Sequence, residues 1–256
     1  MKISVQLYMS LLLLIVLFQP SYSQKQHFGP EDHSGNTSSD FQVDKELIYN
    51  SSPFSSYDQA VAFNGDVYVI AWVDTRNLKD FKLYYARLDK FGNLIDSAGI
   101  CLYNNGYSQS SPQIATNGDI FLLVWESILY GNDQRGSDIF GARLDHNGVL
   151  MDSEMIPISR EYEYEKNARV ASDGENFCVV WQSDPLGSPI GINGTFVSKS
   201  GDVSHPDGIQ IFLGPHSAST PDLCFDGSRY FIVWCDGGYT LGVYGLFFWQ
   251  HRRCCS

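Results

Sequence analysis

One frame is written four times along this chain, and it constrains the fold more than any other feature. It reads "NGDVYVIAWVDTR" at residues 64–76, then "NGDIFLLVWES", "DGENFCVVWQS" and "DGSRYFIVWCD". The turn glycines are Gly65, Gly118, Gly174 and Gly227, and the tryptophans are Trp72, Trp125, Trp181 and Trp234. Both series advance by 53, 56 and 53 residues, and each glycine precedes its tryptophan by seven. A period of this length predicts that each copy is one supersecondary unit that buries its faces against its neighbours.

Each unit reads as four strands. A short apolar piece precedes the turn ("AVAFNG", "QIATNG", "RVASDG", "DLCFDG"). Asn-Gly and Asp-Gly are tight-turn signals between antiparallel strands, because glycine tolerates positive φ. The second strand is apolar on both alternating sets, Val67, Val69 and Ala71 against Tyr68, Ile70 and Trp72, so it reads as buried on both faces. A third strand follows a polar loop, and a second glycine turn ("DKFGN", "DHNGV", "SKSGD") leads to a short fourth strand ("GICLY", "MIPIS", "GIQIF"). The expected fold is all-β: a β-propeller of four-stranded antiparallel blades, about 53 residues each, with four blades or a fragment of a larger propeller. A β-sandwich pair and a β-solenoid are the competing architectures. Neither calls for this period.

The expected units lie near 58–109, 110–165, 166–218 and 219–256. Ile100 and Leu102, Ile156 and Ile158, and Ile209 and Ile211 precede their turn glycines by 18 and 16 residues. The same offsets from Gly65 fall on Leu47 and Tyr49, so residues 43–50 are expected to close the last blade and remove its free edge. "WQHRRCCS" departs from the register, with Arg252 where Gly92, Gly148 and Gly201 stand in the earlier units.

"SPQIATNGDIFLLVW" and "SDIFGARLDHNG" carry a further resemblance. They are similar to the short β-propeller-type repeats of secreted bacterial proteins, roughly P-x-V-A-x-D-G-x-x-Y-L-V-V-W followed by D-I-Y-G-x-R-V-D-x-x-G. The resemblance covers residues 43–251 and implies an extracellular or cell-surface binding protein. It implies no particular reaction. The Asp-box of sialidases, S-x-D-x-G-x-T-W, does not occur, because the glycine-to-tryptophan spacing is longer here.

Charge and targeting narrow the setting. The chain of 256 residues carries 17 Lys+Arg against 29 Asp+Glu, a formal net charge of −12, which argues against nucleic acid or an anionic membrane as partner. Residues 1–23 read as a secretory signal peptide, with Lys2 before the apolar run Leu7 to Phe18 and small Ser21 and Ser23 before the cut. Residues 24–42 read as a flexible polar leader, and no later run has membrane length. Localisation is therefore expected to be secreted or cell-surface. All six cysteines lie after the signal, and Cys178 and Cys224 sit in strand patterns as expected buried thiols.

Candidate ligand residues fall on the loops after the second strands and on the links between units, where function on a rigid scaffold concentrates. Asp74, Glu126, Asp184 and Asp236 follow the tryptophans by one to three residues. Carboxylates facing a central channel can hydrolyse glycosides, or bind Ca²⁺ with Asp133 and Asp138 as further ligands. No D-x-D-x-D-G run marks such a calcium site, and no cofactor is otherwise expected. Arg76, Tyr107, Tyr162 and Tyr164 suit contact with a glycan or an extracellular protein. Arg87 and Arg143 share a repeat position and are expected to form salt bridges with neighbouring carboxylates, such as Asp89 or Asp145. The tryptophans and turn glycines read as framework. No catalytic residue can be named, and no nucleophile elbow or phosphate loop occurs. The leading expectation is a secreted binding or scaffold module without catalysis. The alternatives are an extracellular glycoside-acting enzyme using channel carboxylates, and a truncated fragment of a larger adhesin-like protein.

Overall fold

A computed structural model describes residues 56–76, 81–96, 98–129, 136–160, 164–185, 189–214, 217–237 and 242–248. The expected signal peptide, leader and closing strand 43–50, and the "HRRCCS" end, lie outside the described residues. Among those described, no helix is long and apolar enough to cross a membrane.

The described residues form four antiparallel sheets in chain order. The first comprises β1 (Ser56–Phe63), β2 (Val67–Asp74), β3 (Lys82–Asp89) and β4 (Ile100–Cys101). The second comprises β5 (Tyr107–Thr116), β6 (Phe121–Leu129), β7 (Asp138–Leu144) and β8 (Ile156–Ser159). The third comprises β9 (Tyr164–Ser172), β10 (Phe177–Asp184), β11 (Gly191–Val197) and β12 (Ile209–Phe212). The fourth has three described strands, β13 (Ala218–Phe225), β14 (Tyr230–Asp236) and β15 (Gly242–Phe248). Each sheet is a simple meander.

The turns explain the spelling of the repeat. Gly65, Gly118, Gly174 and Gly227 have φ from +94 to +107°, a region open to glycine at little cost. The residue before each glycine caps the turn. Asn64 Oδ1 accepts the backbone N–H of Asp66 and Val67, and Asn117, Asp173 and Asp226 repeat the pattern. The second turn series is built alike: Asp89 Oδ1 accepts from Phe91 and Asn93, and Asp145 Oδ1 from Asn147 and Val149.

The core lies between successive sheets. On β6, Phe121, Leu123 and Trp125 pack toward the first sheet, and Leu122 and Val124 toward the third. On β10, Phe177, Val179 and Trp181 face the second sheet, and Cys178 and Val180 the fourth. This two-sided packing is the reason both alternating sets are apolar. All four tryptophans are buried, as framework residues should be. Trp72 packs with Tyr84 and Ala86 on the side of the first sheet away from the second.

Two expectations need correction. Arg87 and Arg143 form the expected salt bridges with neighbouring carboxylates, but the partners are not Asp89 and Asp145, whose carboxylates cap turns. Arg87 pairs with Asp96 at 2.8 Å and Arg143 with Asp152 at 2.6 Å, both half-buried. Each arginine also reaches the next sheet, donating to the carbonyl of Asn147 or Lys199. In the third sheet Phe196 takes the place of arginine and stacks on Phe248 at 5.0 Å. Cys178 is a buried free thiol, but Cys224 is exposed, because no described strand covers the face of the fourth sheet away from the third. Val243 is 73% exposed on that sheet.

Gly148 sits at this inter-sheet contact with φ +73°, and a Cβ there would lie 2.8 Å from Arg87 Cδ and 2.9 Å from Val69 Cγ2. Gly118 has φ +96° and open space around it. Gly118→Ala should cost about 1–3 kcal/mol from backbone strain alone. Gly148→Ala should cost about 1–3 kcal/mol more from overpacking. Urea unfolding of both variants checks the difference, and equal losses would mean that the sheets meet loosely here.

Candidate functional site

The first strands of the four sheets, β1, β5, β9 and β13, which meet one another in succession and are here called the inner strands, carry a shared irregularity. Each breaks register against its partner, between Tyr57 and Ala60, Ser110 and Gln113, Lys166 and Arg169, and Ser219 and Asp222. At the break sits a non-glycine residue in the left-handed region: Asp58 (φ 51°), Ser111 (52°), Asn167 (54°) and Thr220 (50°). Each precedes its turn glycine by seven residues. A bulge of this kind re-aims a side chain and leaves backbone groups free of the ladder. Four strained polar residues at one repeat position are a pointer to function.

Glu126, at the far end of β6, is held by two of them. Its Oε1 accepts the backbone N–H of Asn167 at 2.7 Å, and the Ser111 side chain hydrogen-bonds it as well. The carboxyl is 9% exposed. Burial raises its pKa above the ordinary carboxylate value, against the pull of these hydrogen bonds and of Lys166, and the charge of Asp58 pushes the same way as burial. Asn167 Nδ2 also donates to Gln182, the residue of β10 equivalent to Glu126. A buried carboxyl with a raised pKa, on β6, and an exposed one, Asp58 on β1, are thus brought within electrostatic reach.

The other expected site residues fall into several groups. Asp184 lies 3.8 Å from Lys166 Nζ, which also sits over the exposed Tyr164 ring at 4.7 Å, so both border the Glu126 environment. Tyr164 and Tyr107 stand at the start of inner strands, not in links. Tyr107 tilts against Phe140 with ring centroids 6.0 Å apart. Asp74 is not open to a channel: it accepts from Trp72 Nε1 at 3.2 Å and from Arg76 NH2 at 2.6 Å, and Arg76 lies over Tyr84. The Asp74 pKa is lowered although its burial works the other way, because the Arg76 and Trp72 hydrogen bonds outweigh desolvation. Asp74 and Arg76 therefore neutralise each other as framework. Asp236 ends β14, paired across the ladder with Ala218 and Gly242. Asp133 and Tyr162 lie outside the described residues. Among those described, no three His, Cys, Asp or Glu residues gather to hold a metal ion, so the Ca²⁺ alternative gains no site there.

A second carboxyl escapes the sequence pattern. Glu165 on β9 is fully buried, and its Oε1 accepts from Ser159 Oγ and, at 3.1 Å, from Trp181 Nε1. Burial pushes its pKa up to about 8, aided by Asp138 and Asp207. Because the folded value exceeds the unfolded one, its stabilisation is complete below the ordinary value of 4.5 and is lost as pH rises toward about 8. Wild-type melting temperature should fall between pH 5 and pH 8, and Glu165→Gln should flatten that fall. An unchanged slope in the variant would assign the pH dependence to other groups.

No protein-family model and no curated protein matches the chain. Solved structures do share its fold. A thermostable family-43 glycoside hydrolase aligns at 13% identity and TM-score 0.51, covering 77% of this chain and 72% of the other. The Penicillium chrysogenum α-L-arabinanase complexed with arabinobiose aligns at 9% identity and TM-score 0.54, covering 76% and 58%. The Trypanosoma rangeli sialidase in complex with sialic acid aligns at 11% identity and TM-score 0.53, covering 75% and 36%. The chain therefore spans little more than a third of that sialidase's length. These likenesses establish an all-β fold of four-stranded antiparallel sheets, similar to that of the β-propeller glycoside hydrolases compared. They also overturn the expectation of a binding or scaffold module without catalysis. The structures named here are a glycoside hydrolase, an arabinanase and a sialidase, and they favour the glycoside-acting alternative.

Proposed function

We propose that this protein is an extracellular glycoside-acting enzyme built on a β-propeller of four blades, or on part of a larger one. The carrying observation is Glu126, a buried carboxyl with a raised pKa, clasped by the bulge residues Ser111 and Asn167 and coupled to Asp58. Glycoside hydrolysis asks for two carboxyls of unlike environment. In its protonated form Glu126 gives its proton to the departing glycosidic oxygen as the bond to the anomeric carbon breaks. Asp58 acts at that carbon as base toward water or as nucleophile. Tyr164 offers an exposed ring beside the site, and the hydrolase neighbours make a glycan the natural substrate class. The apolar run at residues 7–18 supports export.

Wild-type protein should release the chromophore from at least one member of a panel of aryl arabinofuranosides, xylosides, galactosides and sialosides. Glu126→Gln and Asp58→Asn should each lower that rate by about 10²–10⁴-fold. Because Glu126 must be protonated to act, the rate should fall on the alkaline side as pH rises through its raised pKa. A blank panel with folded wild-type protein, or full activity in Glu126→Gln, would overturn the assignment.

A further inference from the structure

Away from the Glu126 environment, a cleft of about 450 Å³ opens between the link that joins the first two sheets and the outer strand β8 of the second. Its floor is aromatic and apolar. Tyr107 and Phe140 meet there in a tilted pair, and Met155 lies alongside. Tyr103 is fixed in place because its hydroxyl donates to the Asp152 carbonyl at 2.9 Å, leaving its ring as part of the wall. The rim is polar. Asn104 is exposed, and the Arg160 side chain is 50% exposed, held only loosely by Asp138 at 3.9 Å.

Aromatic rings set into a concave floor, ringed by a few planar donors and acceptors, match the two kinds of surface a pyranose or furanose ring presents. Its C–H faces are apolar, and its edge carries hydroxyls. The cleft shares no described residue with the carboxylate site, yet Arg160 and Tyr164 flank the same short link, residues 161–163. Tyr107, on the cleft floor, begins the strand whose bulge residue Ser111 holds Glu126. A polymer can engage two separate places on one protein, which a single terminal sugar cannot.

We propose that this cleft is an accessory saccharide-binding site, and that the substrate is a polysaccharide and not a single terminal sugar. The proposal rests on the glycoside reading for its substrate class, but the cleft can be tested without turnover. Glu126→Gln protein, which should leave a polymer intact, is run by affinity electrophoresis through gels containing linear arabinan, galactan, xylan or polygalacturonate. At least one polymer should retard it. Adding Tyr107→Ala or Arg160→Ala should weaken that retardation by about tenfold. Melting curves verify folding, and the exposed Asn104→Ala serves if Tyr107→Ala fails to fold.

Retardation that is equal in the cleft variants would place binding elsewhere and overturn the proposal, as would no retardation by any polymer. The aryl-glycoside panel separates this from the activity reading. Turnover without polymer retention sinks only the cleft, and polymer retention lost in the cleft variants without any turnover sinks only the activity.

Discussion

The second strand of each unit must bury both faces, and the rest of the structure depends on that requirement. A sheet wet on one side needs only alternating apolar residues. Here Leu122 and Val124 would stand in water if no third sheet covered them, as Phe121, Leu123 and Trp125 would without the first. At about 25 cal/mol per Å² of apolar surface removed from water, large side chains such as Trp125 and Trp181 make this face-to-face packing the main cohesive term. Sheet follows sheet because each supplies the cover its neighbour lacks. The same logic makes the two ends of the succession conspicuous. Val61 on β1 and Val243 on β15 are 60% and 73% exposed, where equivalent surfaces inside the succession are covered.

Polar groups are fitted to this layered packing without breaking it. Arg87 and Arg143 are each neutralised within their own sheet by Asp96 and Asp152 before they reach the neighbouring turn. The Arg87 bond holds Asp96 below the ordinary carboxylate range, so that pair stays ionised in its half-buried setting. Where no such pair exists, in the third sheet, Phe196 stacks on Phe248 and meets the same spatial need with surface in place of charge. Charge and aromatic stacking are interchangeable there because the site is a contact between sheets and not a ligand site. Asp74 and Arg76 follow the same rule at the end of β2, although their loop position suggested a different use.

The framework was legible in the sequence because it repeats. Turn glycines, capping Asn and Asp residues, and tryptophans recur at fixed offsets, and each offset has one local physical cause. The candidate site was far less legible. Glu126 was among the carboxylates singled out, but Asp58, Ser111, Asn167 and Glu165 were not. Their roles depend on a bulge that joins residues across two strands and on burial set by the next sheet, neither of which leaves a short-range pattern. A signal was nevertheless present. Pro112 and Pro221 directly follow Ser111 and Thr220, and a proline within a strand run marks an edge strand or a bulge, both of which hold here. Reading "SSP" and "STP" as interrupted strands instead of links would have moved attention seven residues upstream of each glycine.

The bulges also explain why one unit differs from the others where chemistry is proposed. All four inner strands accept a residue near φ 50°, a conformation that costs non-glycine residues on the order of 1–3 kcal/mol. The framework imposes this cost in every unit, so the backbone alone does not define a reactive centre. What varies is the side chain displayed there and its neighbour at the end of the second strand. Only the second unit puts a glutamate at that neighbouring position, where the third has Gln182, the first Val73 and the fourth Cys235. The N–H of Asn167, turned out of the ladder by its own bulge, meets Glu126 and no equivalent acid elsewhere. A symmetric scaffold thus acquires an asymmetric centre through one carboxyl, one freed N–H and one acidic bulge residue, Asp58.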